Sequence, residues 1–347
     1  MMPSIYEFSK DELAQAVSGE PRYRVDQLWH GLWSEAQEVG DITTVPKALR
    51  ARLAEEFAPA LRAVHDVESD HGSTRKWVFQ LAGGATIETV LMIYEDRATV
   101  CVSSQAGCAM GCTFCATGQA GFTRHLTVGE VIEQVMVAAR AAAPRRLSNV
   151  VFMGMGEPLA NYAVTVDVLR RLHDFRGLSA RHLTVSTVGV APAIERLARE
   201  GLPLTLAVSL HAANDETRNQ LVPLNRRYPL DRLHAACVDW IATTTRRLSF
   251  EWALIDEVND TDQAIRELAE YAGSLRAHVN LIPLNPTPGY LVRGSSSQRV
   301  REFREGLEAL GVTVTVRRTR GRSIDAACGQ LAQVTNPKRR SIPLQVI

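Results

Sequence analysis

Three cysteines in the segment Cys108-Ala-Met-Gly-Cys112-Thr-Phe-Cys115, spaced four and then three residues apart, constrain this chain more than any other feature. Thiols at that spacing can converge on one metal centre, supplying three corners of a tetrahedral thiolate site and leaving one open. A [4Fe–4S] cluster held by three cysteines keeps one iron free to bind a small chelating molecule. A structural zinc site would be closed by a fourth Cys or His at short spacing. The nearest downstream candidate, His125, lies ten residues past Cys115, farther than zinc ligands are usually spaced. Three inert core thiols are a weaker reading still, because Gly107, Gly111 and Gly118 make this segment a loop.

The flanking sequence places the loop. Ala98-Thr-Val-Cys-Val-Ser-Ser104 alternates β-branched and small residues and reads as a strand. Thr127-Val-Gly-Glu130 has the pattern of a capping box. It opens a helix with Val128, Val131, Ile132, Val135 and Met136 on one face. The cysteines therefore sit between a strand and its helix, where αβ folds carry their chemistry. Strand and helix patterns alternate from Arg97 onward, with strands expected near 98–103, 148–153, 182–187, 204–210, 248–254 and 278–283. Such alternation predicts a parallel sheet. Six βα units are too few to close an eight-stranded barrel.

With 347 residues, the chain holds two domains or one barrel with an appendage. The reading divides it into a helical accessory domain (1–68), a β-hairpin linker (69–95), a core (96–335) and a basic tail (336–347). In the first, Ser9-Lys-Asp-Glu12 is a second capping box. Val25, Leu28, Trp29 and Leu32 then recur at helical spacing, and a third helix runs from Pro46 to about Phe57. In the second, Gly83-Gly84 is a hairpin turn between two apolar runs. No stretch approaches 18 uncharged apolar residues and no basic-then-apolar leader is present, which predicts a cytoplasmic protein with no membrane partner. The spacing of the six cysteines does not suggest a secreted disulfide framework. Net charge is +1, yet Lys and Arg outnumber Asp and Glu 11 to 4 from Arg293 onward, against 28 to 34 before it. Such asymmetry marks a nucleic-acid-facing part. A solvated tail around Lys338-Arg-Arg340 is the bland alternative.

Working residues in αβ barrels sit at the C-terminal ends of strands. Gly156 and Glu157 follow the strand Val150-Val-Phe-Met153, and Ser186 follows Leu183-Thr-Val185. Ser209, Leu210 and His211 follow Thr205-Leu-Ala-Val208, and Asn285 follows the sixth strand. Any one could be a satisfied loop residue; polar groups on four strand ends beside a cysteine loop are a harder coincidence.

Cys108-x-x-x-Cys112-x-x-Cys115 in that position resembles the radical S-adenosylmethionine (SAM) superfamily. Cys101-Val-Ser-Ser-Gln-Ala-Gly-Cys108, Phe114-Cys-Ala-Thr-Gly118 and Asp325-Ala-Ala-Cys-Gly-Gln-Leu331 narrow the resemblance to the RlmN/Cfr family of RNA adenine methyltransferases. It implies an α/β fold, a partial (β/α)6 TIM-like radical SAM barrel with a small N-terminal helical domain and a linking β-hairpin. It implies a [4Fe–4S] cluster on Cys108, Cys112 and Cys115, with SAM held by Gly156, Glu157, Ser186, Ser209, Leu210, His211 and Asn285. The implied substrates are adenines of 23S rRNA and tRNA. The implied enzyme is a monomer served by an electron donor such as flavodoxin or ferredoxin, with its helical domain binding RNA.

The resemblance also assigns the outer thiols. Cys328 takes a methyl group from a first SAM; a second, reductively cleaved SAM gives a 5′-deoxyadenosyl radical that removes a hydrogen from it. The S-methylene radical adds to carbon 2 of adenine, the ring carbon loses a proton, and Cys101 attacks, releasing the methylated base with a Cys101–Cys328 disulfide. Glu88 matches the position assigned as proton acceptor; a solvent-facing strand carboxylate is its alternative. Inert packing is the alternative for both thiols and the reading for Cys237, which lies in an apolar helical run. Arg317, Arg318, Arg320 and Arg322 are placed to grip RNA phosphates. Two rival functions are carbon-8 methylation with the same cysteines and a non-catalytic iron–sulfur RNA-binding regulator. The second would lack Cys328 or the Gly-Glu segment, and both are present.

Overall fold

The computed structural model describes residues 3–285, 293–317, 321, 324–326 and 330–331. The N-terminal helices are α1 (Lys10–Ala16), opened by the expected Ser9/Glu12 capping box, α2 (Tyr23–Trp29), which runs into a π turn, and α3 (Lys47–Glu56). Then come β1 (Arg62–Ser69), β2 (Thr74–Gln80), β3 (Thr86–Ile93) and β4 (Ala98–Cys101), each antiparallel to the one before. β4 turns the sheet from antiparallel to parallel.

After β4, the chain makes a two-stranded excursion, β5 (Gln105–Gly107) and β6 (Phe122–His125), enclosing α4 (Ala116–Ala120). The remaining strands are β7 (Leu147–Phe152), β8 (Leu183–Thr187), β9 (Thr205–Ser209), β10 (Ser249–Leu254), β11 (His278–Pro283) and β12 (Thr313–Val316). Together with β4 they line up in chain order and all parallel. The crossovers are α5 (Val128–Ala142), α6 (Tyr162–Asp174), α7 (Ala191–Ala198), α8 (Asp215–Leu221) with α9 (Leu230–Thr244), α10 (Asp262–Ser274) and α11 (Ser297–Ala309). This is the expected open barrel of six βα units, completed by an edge strand, β12, that the sequence pattern did not reveal.

Strand alternation sorts the two faces. On β10, Phe250 packs on Tyr271 and Trp252 on Phe303, both on crossover helices, while Glu251 and Ala253 turn inward. Each fully buried large apolar side chain of this kind contributes roughly 1.5–3 kcal/mol. On β3, the Thr89 hydroxyl donates to Gln134 of α5 (2.8 Å), so Thr89 faces the helices. Glu88 and Val90 then face the barrel interior. Glu88 is not a solvent-facing carboxylate: it is fully buried.

The helical segment is docked on the barrel. Tyr6 and Trp29 pack edge-on around Trp33 and Phe175, and the Arg171 guanidinium donates to the carbonyls of Tyr6, Glu7 and Phe8. Glu133 of α5 accepts from the Ala60 and Leu61 amides and from the Ser4 hydroxyl. Strand β1 starts within the stretch that reads as helical. It is the edge strand, exposed along nearly its whole length with polar residues interspersed, so no apolar period marks it. No helix of the described residues is long and apolar enough to cross a membrane.

Candidate active site

The C-terminal ends of the parallel strands open into a cavity of about 1030 Å³, counting the open solvent at its mouth. Cys108, Cys112 and Cys115 form one wall of it. Gly107 makes that possible: its φ is +77°, and a Cβ there would stand 1.9 Å from the Gly121 carbonyl oxygen. The Cys108 N–H donates to that same carbonyl (2.9 Å), and the Thr113 N–H to the Leu221 carbonyl at the end of α8 (3.1 Å). Cys115 closes the loop as the N-cap of α4.

The three thiols are free. Burial pushes Cys108 up to about 12 and Cys112 well above the ordinary thiol range, so without metal both keep their protons. Among the described residues, no three His, Cys, Asp or Glu side chains close around a single ion. Yet the sulfurs share a wall and feel one another electrostatically. An open iron–sulfur cluster takes one thiolate at each of three irons, and three cysteines on one wall match that donor count. The set fits a cluster.

Gly156, Glu157, Ser186, Ser209, His211 and Asn285 line the same cavity. At Gly156, φ is +102° and a Cβ would lie 2.5 Å from the Gln105 Cβ. The Gln105 side chain accepts from the Glu157 N–H (2.8 Å), fastening the loop after β7 to the hairpin that carries the cysteines. The Glu157 carboxylate accepts from the Leu159 (3.0 Å) and Val188 (2.9 Å) amides, joining the ends of β7 and β8. Burial raises it to about 7, and each oxygen keeps acceptor capacity for a cationic ligand. His211, at φ +60°, accepts the Ala253 N–H at Nδ1 (3.0 Å), so its ring proton sits on Nε2. Burial lowers its pKa to about 3, and the imidazole stays neutral. Phe114 of the cysteine loop packs edge-on to it at 4.6 Å. Leu210, between Ser209 and His211 in sequence, does not line the cavity and is buried in the core. We expect Gly156→Ala to cost about 1–3 kcal/mol of stability. Thermal unfolding checks this.

Residues 102–269 match the Radical SAM superfamily. The chain is 52% identical to a protein of Parafrankia sp. over 94% of its own length and 90% of that protein's. It is 46% identical to one of Chloroflexus aurantiacus over 99% and 95%. Each is named a probable dual-specificity RNA methyltransferase RlmN. The chain belongs to the RlmN family of radical SAM methyltransferases. The crystal structure of a radical SAM methyltransferase from Sphaerobacter thermophilus, 49% identical, superposes with a TM-score of 0.91 over 95% of this chain and 99% of that one.

Outside the cavity wall, this RlmN-family chain places Cys101 at the C-terminal end of β4, buried, opposite Val90 of β3 and Val151 of β7. Cys101 and Glu88 thus share the interior face of the sheet. Cys328, Arg318, Arg320, Arg322, residues 286–289 and the tail 336–347 lie outside the described residues. Arg317 is described, lines the cavity and approaches the Met153 sulfur at 3.8 Å. Nearer the chain end, Leu331 also lines it, its carbonyl accepting from Thr117 of α4 (2.6 Å). Cys237 is a buried core thiol, as expected.

Two site residues were missed. Glu251 lines the cavity and is held by Asn280 (2.7 Å) and Ser249 (3.2 Å), with burial raising its pKa. A carboxylate on the inward-facing period of an otherwise buried strand was a usable signal. Arg218, buried on α8, donates to the carbonyls of Leu210 (3.0 Å) and Val188 (2.7 Å) and to the Asn225 side chain (2.6 Å). It ties the ends of β8 and β9 together. Within Asp215-Glu-Thr-Arg-Asn-Gln-Leu221 it reads as an exposed helical charge, and no local pattern marks it.

Proposed function

We propose that this chain methylates carbon 2 of adenine in 23S rRNA and tRNA, with SAM as methyl source and a [4Fe–4S] cluster on Cys108, Cys112 and Cys115. The observation that carries the reading is the convergence of three free thiols and six polar or glycine strand-end positions on one cavity. Bound there, the cluster supplies the electron for reductive cleavage of SAM. The chain's own residues do the rest. His211 offers a neutral Nε2–H donor and Glu157 an acceptor for the SAM ammonium, with Ser186, Ser209 and Asn285 completing the polar set. Cys328 accepts the methyl group, Glu88 takes the adenine ring proton, and Cys101 attacks the Cys328 sulfur to release the base. Residues 1–68 and the arginines from Arg317 onward hold RNA. The protein works in the cytoplasm as a monomer, with flavodoxin or ferredoxin as electron donor.

The test is mass spectrometry of nucleosides from rRNA and tRNA treated with the reconstituted enzyme. We expect 2-methyladenosine in both. The 8-methyl isomer alone would overturn the carbon-2 assignment, and modification of rRNA only would remove tRNA as a substrate.

A further inference from the structure

Lys76, on β2, is 3% exposed and Glu88, on β3, is 0% exposed. Lysine and glutamate are almost never buried so completely unless paired. The Lys76 Nζ stands 3.3 Å from a Glu88 carboxylate oxygen and donates to the Asp325 carbonyl at 3.2 Å. Sheet register explains the meeting. Lys76 lies opposite Val90, Glu88 opposite Val78, and Val90 also opposite Cys101. Lys76, Glu88 and Cys101 therefore project from one interior face. At the inward positions of β2, β3 and β4 they are the only ionisable side chains; His65 of β1, exposed, follows opposite Val78, and Asp325 comes from the C-terminal segment.

That segment is fastened at a second point. Asp70, in the β1–β2 turn, accepts from the Thr74 hydroxyl (2.7 Å) and from the Gly321 N–H (2.8 Å). The Gly321 carbonyl then accepts from the Ile324 (3.2 Å) and Ala326 (3.0 Å) amides. A turn ending two residues before Cys328 in sequence is thus docked on the β1–β2 hairpin. A buried ion pair is weak evidence for stability, since apolar replacements are often neutral or better. Its purpose is better sought in what it holds.

We propose that Lys76 is a positioning residue: its ammonium keeps Glu88 a carboxylate on the barrel's interior face and anchors, through the Asp325 carbonyl, the segment that leads to Cys328. The inference rests on the roles proposed above for Glu88 and Cys328. It makes the hairpin a dock for Gly321 and Asp325, which precede Cys328 in sequence. Without the cation, a buried carboxylate reverts toward its neutral, proton-bearing form and loses its capacity as a base.

The experiment compares Lys76→Met, Lys76→Gln and Glu88→Gln holoenzymes. All three should keep cluster content and SAM binding, because none of these residues lines the cavity. With Lys76→Met, RNA methylation should fall about 100-fold at neutral pH, within the range of a general base. The acid limb of its rate profile should move up by about one to two pH units, as for a carboxylate losing an adjacent cation. Amide hydrogen exchange at Gly321, Ile324 and Ala326, read on the cluster-free chain, should quicken. Lys76→Gln keeps a donor for Asp325 without the charge; it should restore protection while the acid limb stays shifted, and it serves if Lys76→Met does not fold. Wild-type rates, profile and protection in the Lys76 variants, with Glu88→Gln inactive, would overturn the proposal and leave the base assignment standing. Wild-type methylation by Glu88→Gln would overturn the base assignment itself, and the proposal with it.

Discussion

Cys101→Ala protein incubated with SAM, reductant and RNA should become covalently joined to RNA and stop there. In the proposed sequence, methylation of Cys328 and carbon–carbon bond formation both precede the step that needs Cys101. The adduct's unpaired electron would return to the cluster that Cys108, Cys112 and Cys115 would hold; once the ring carbon has also lost its proton, what remains is a methylene bridge between the Cys328 sulfur and adenine carbon 2. The Cys101 thiolate would attack that sulfur, forming a sulfur–sulfur bond and breaking the sulfur–carbon bond. The released electron pair goes to the methylene carbon, which takes a proton and becomes methyl. Alanine removes the attacking atom and nothing else of consequence. Cys101 is buried at a strand end, and losing one sulfur there costs about 1 kcal/mol, too little to unfold the chain. A denaturing gel should show a slower band that nuclease removes, with methylated RNA undetectable. Two inert core thiols would instead give near-normal turnover and no shifted band. Cys328→Ala separates the steps: it should keep the cluster, form no S-methyl group and give no adduct.

The sequence announced the parts of this site that lie on regular elements with an apolar period. Six of the parallel strands appear within a residue or two of where alternation placed them, and the capping box at Thr127 opens α5 as expected. Their polar end residues needed only the rule that αβ sites gather at strand C-termini. What stayed hidden depends on contacts between distant segments. Strand β12 is short, with exposed Thr313 and Thr315 between half-buried valines, so its pairing with β11 leaves little apolar signature. Glu88 looks like any strand carboxylate until β2 lies beside it and the segment around Asp325 crosses Lys76. Arg218 is hidden for the same reason. Its partners are backbone carbonyls, which every residue owns and no pattern marks.

Replacing any one of Cys108, Cys112 or Cys115 by Ala should abolish the brown colour of anaerobically reconstituted protein and all SAM cleavage, while the barrel stays folded. The apo fold owes little to these thiols, since the loop is held by backbone bonds to Gly121 and Leu221. Wild-type protein should hold about four irons per chain; each variant should hold close to none, with circular dichroism unchanged. The pH dependence of assembly follows from the thiols. Iron binds thiolate, and burial holds Cys108 at about 12 and Cys112 well above its ordinary range. At neutral pH both are protonated, so cluster uptake must displace protons and becomes more favourable as pH rises. Reconstitution followed by its visible absorbance should therefore be less complete at pH 6.5 than at pH 8.5, with protons released into a weakly buffered solution. Equal yield at both values with no proton release would mean that the thiols reach the metal already ionised. A colourless protein holding one zinc per chain would remove the cluster, and with it the whole radical reading.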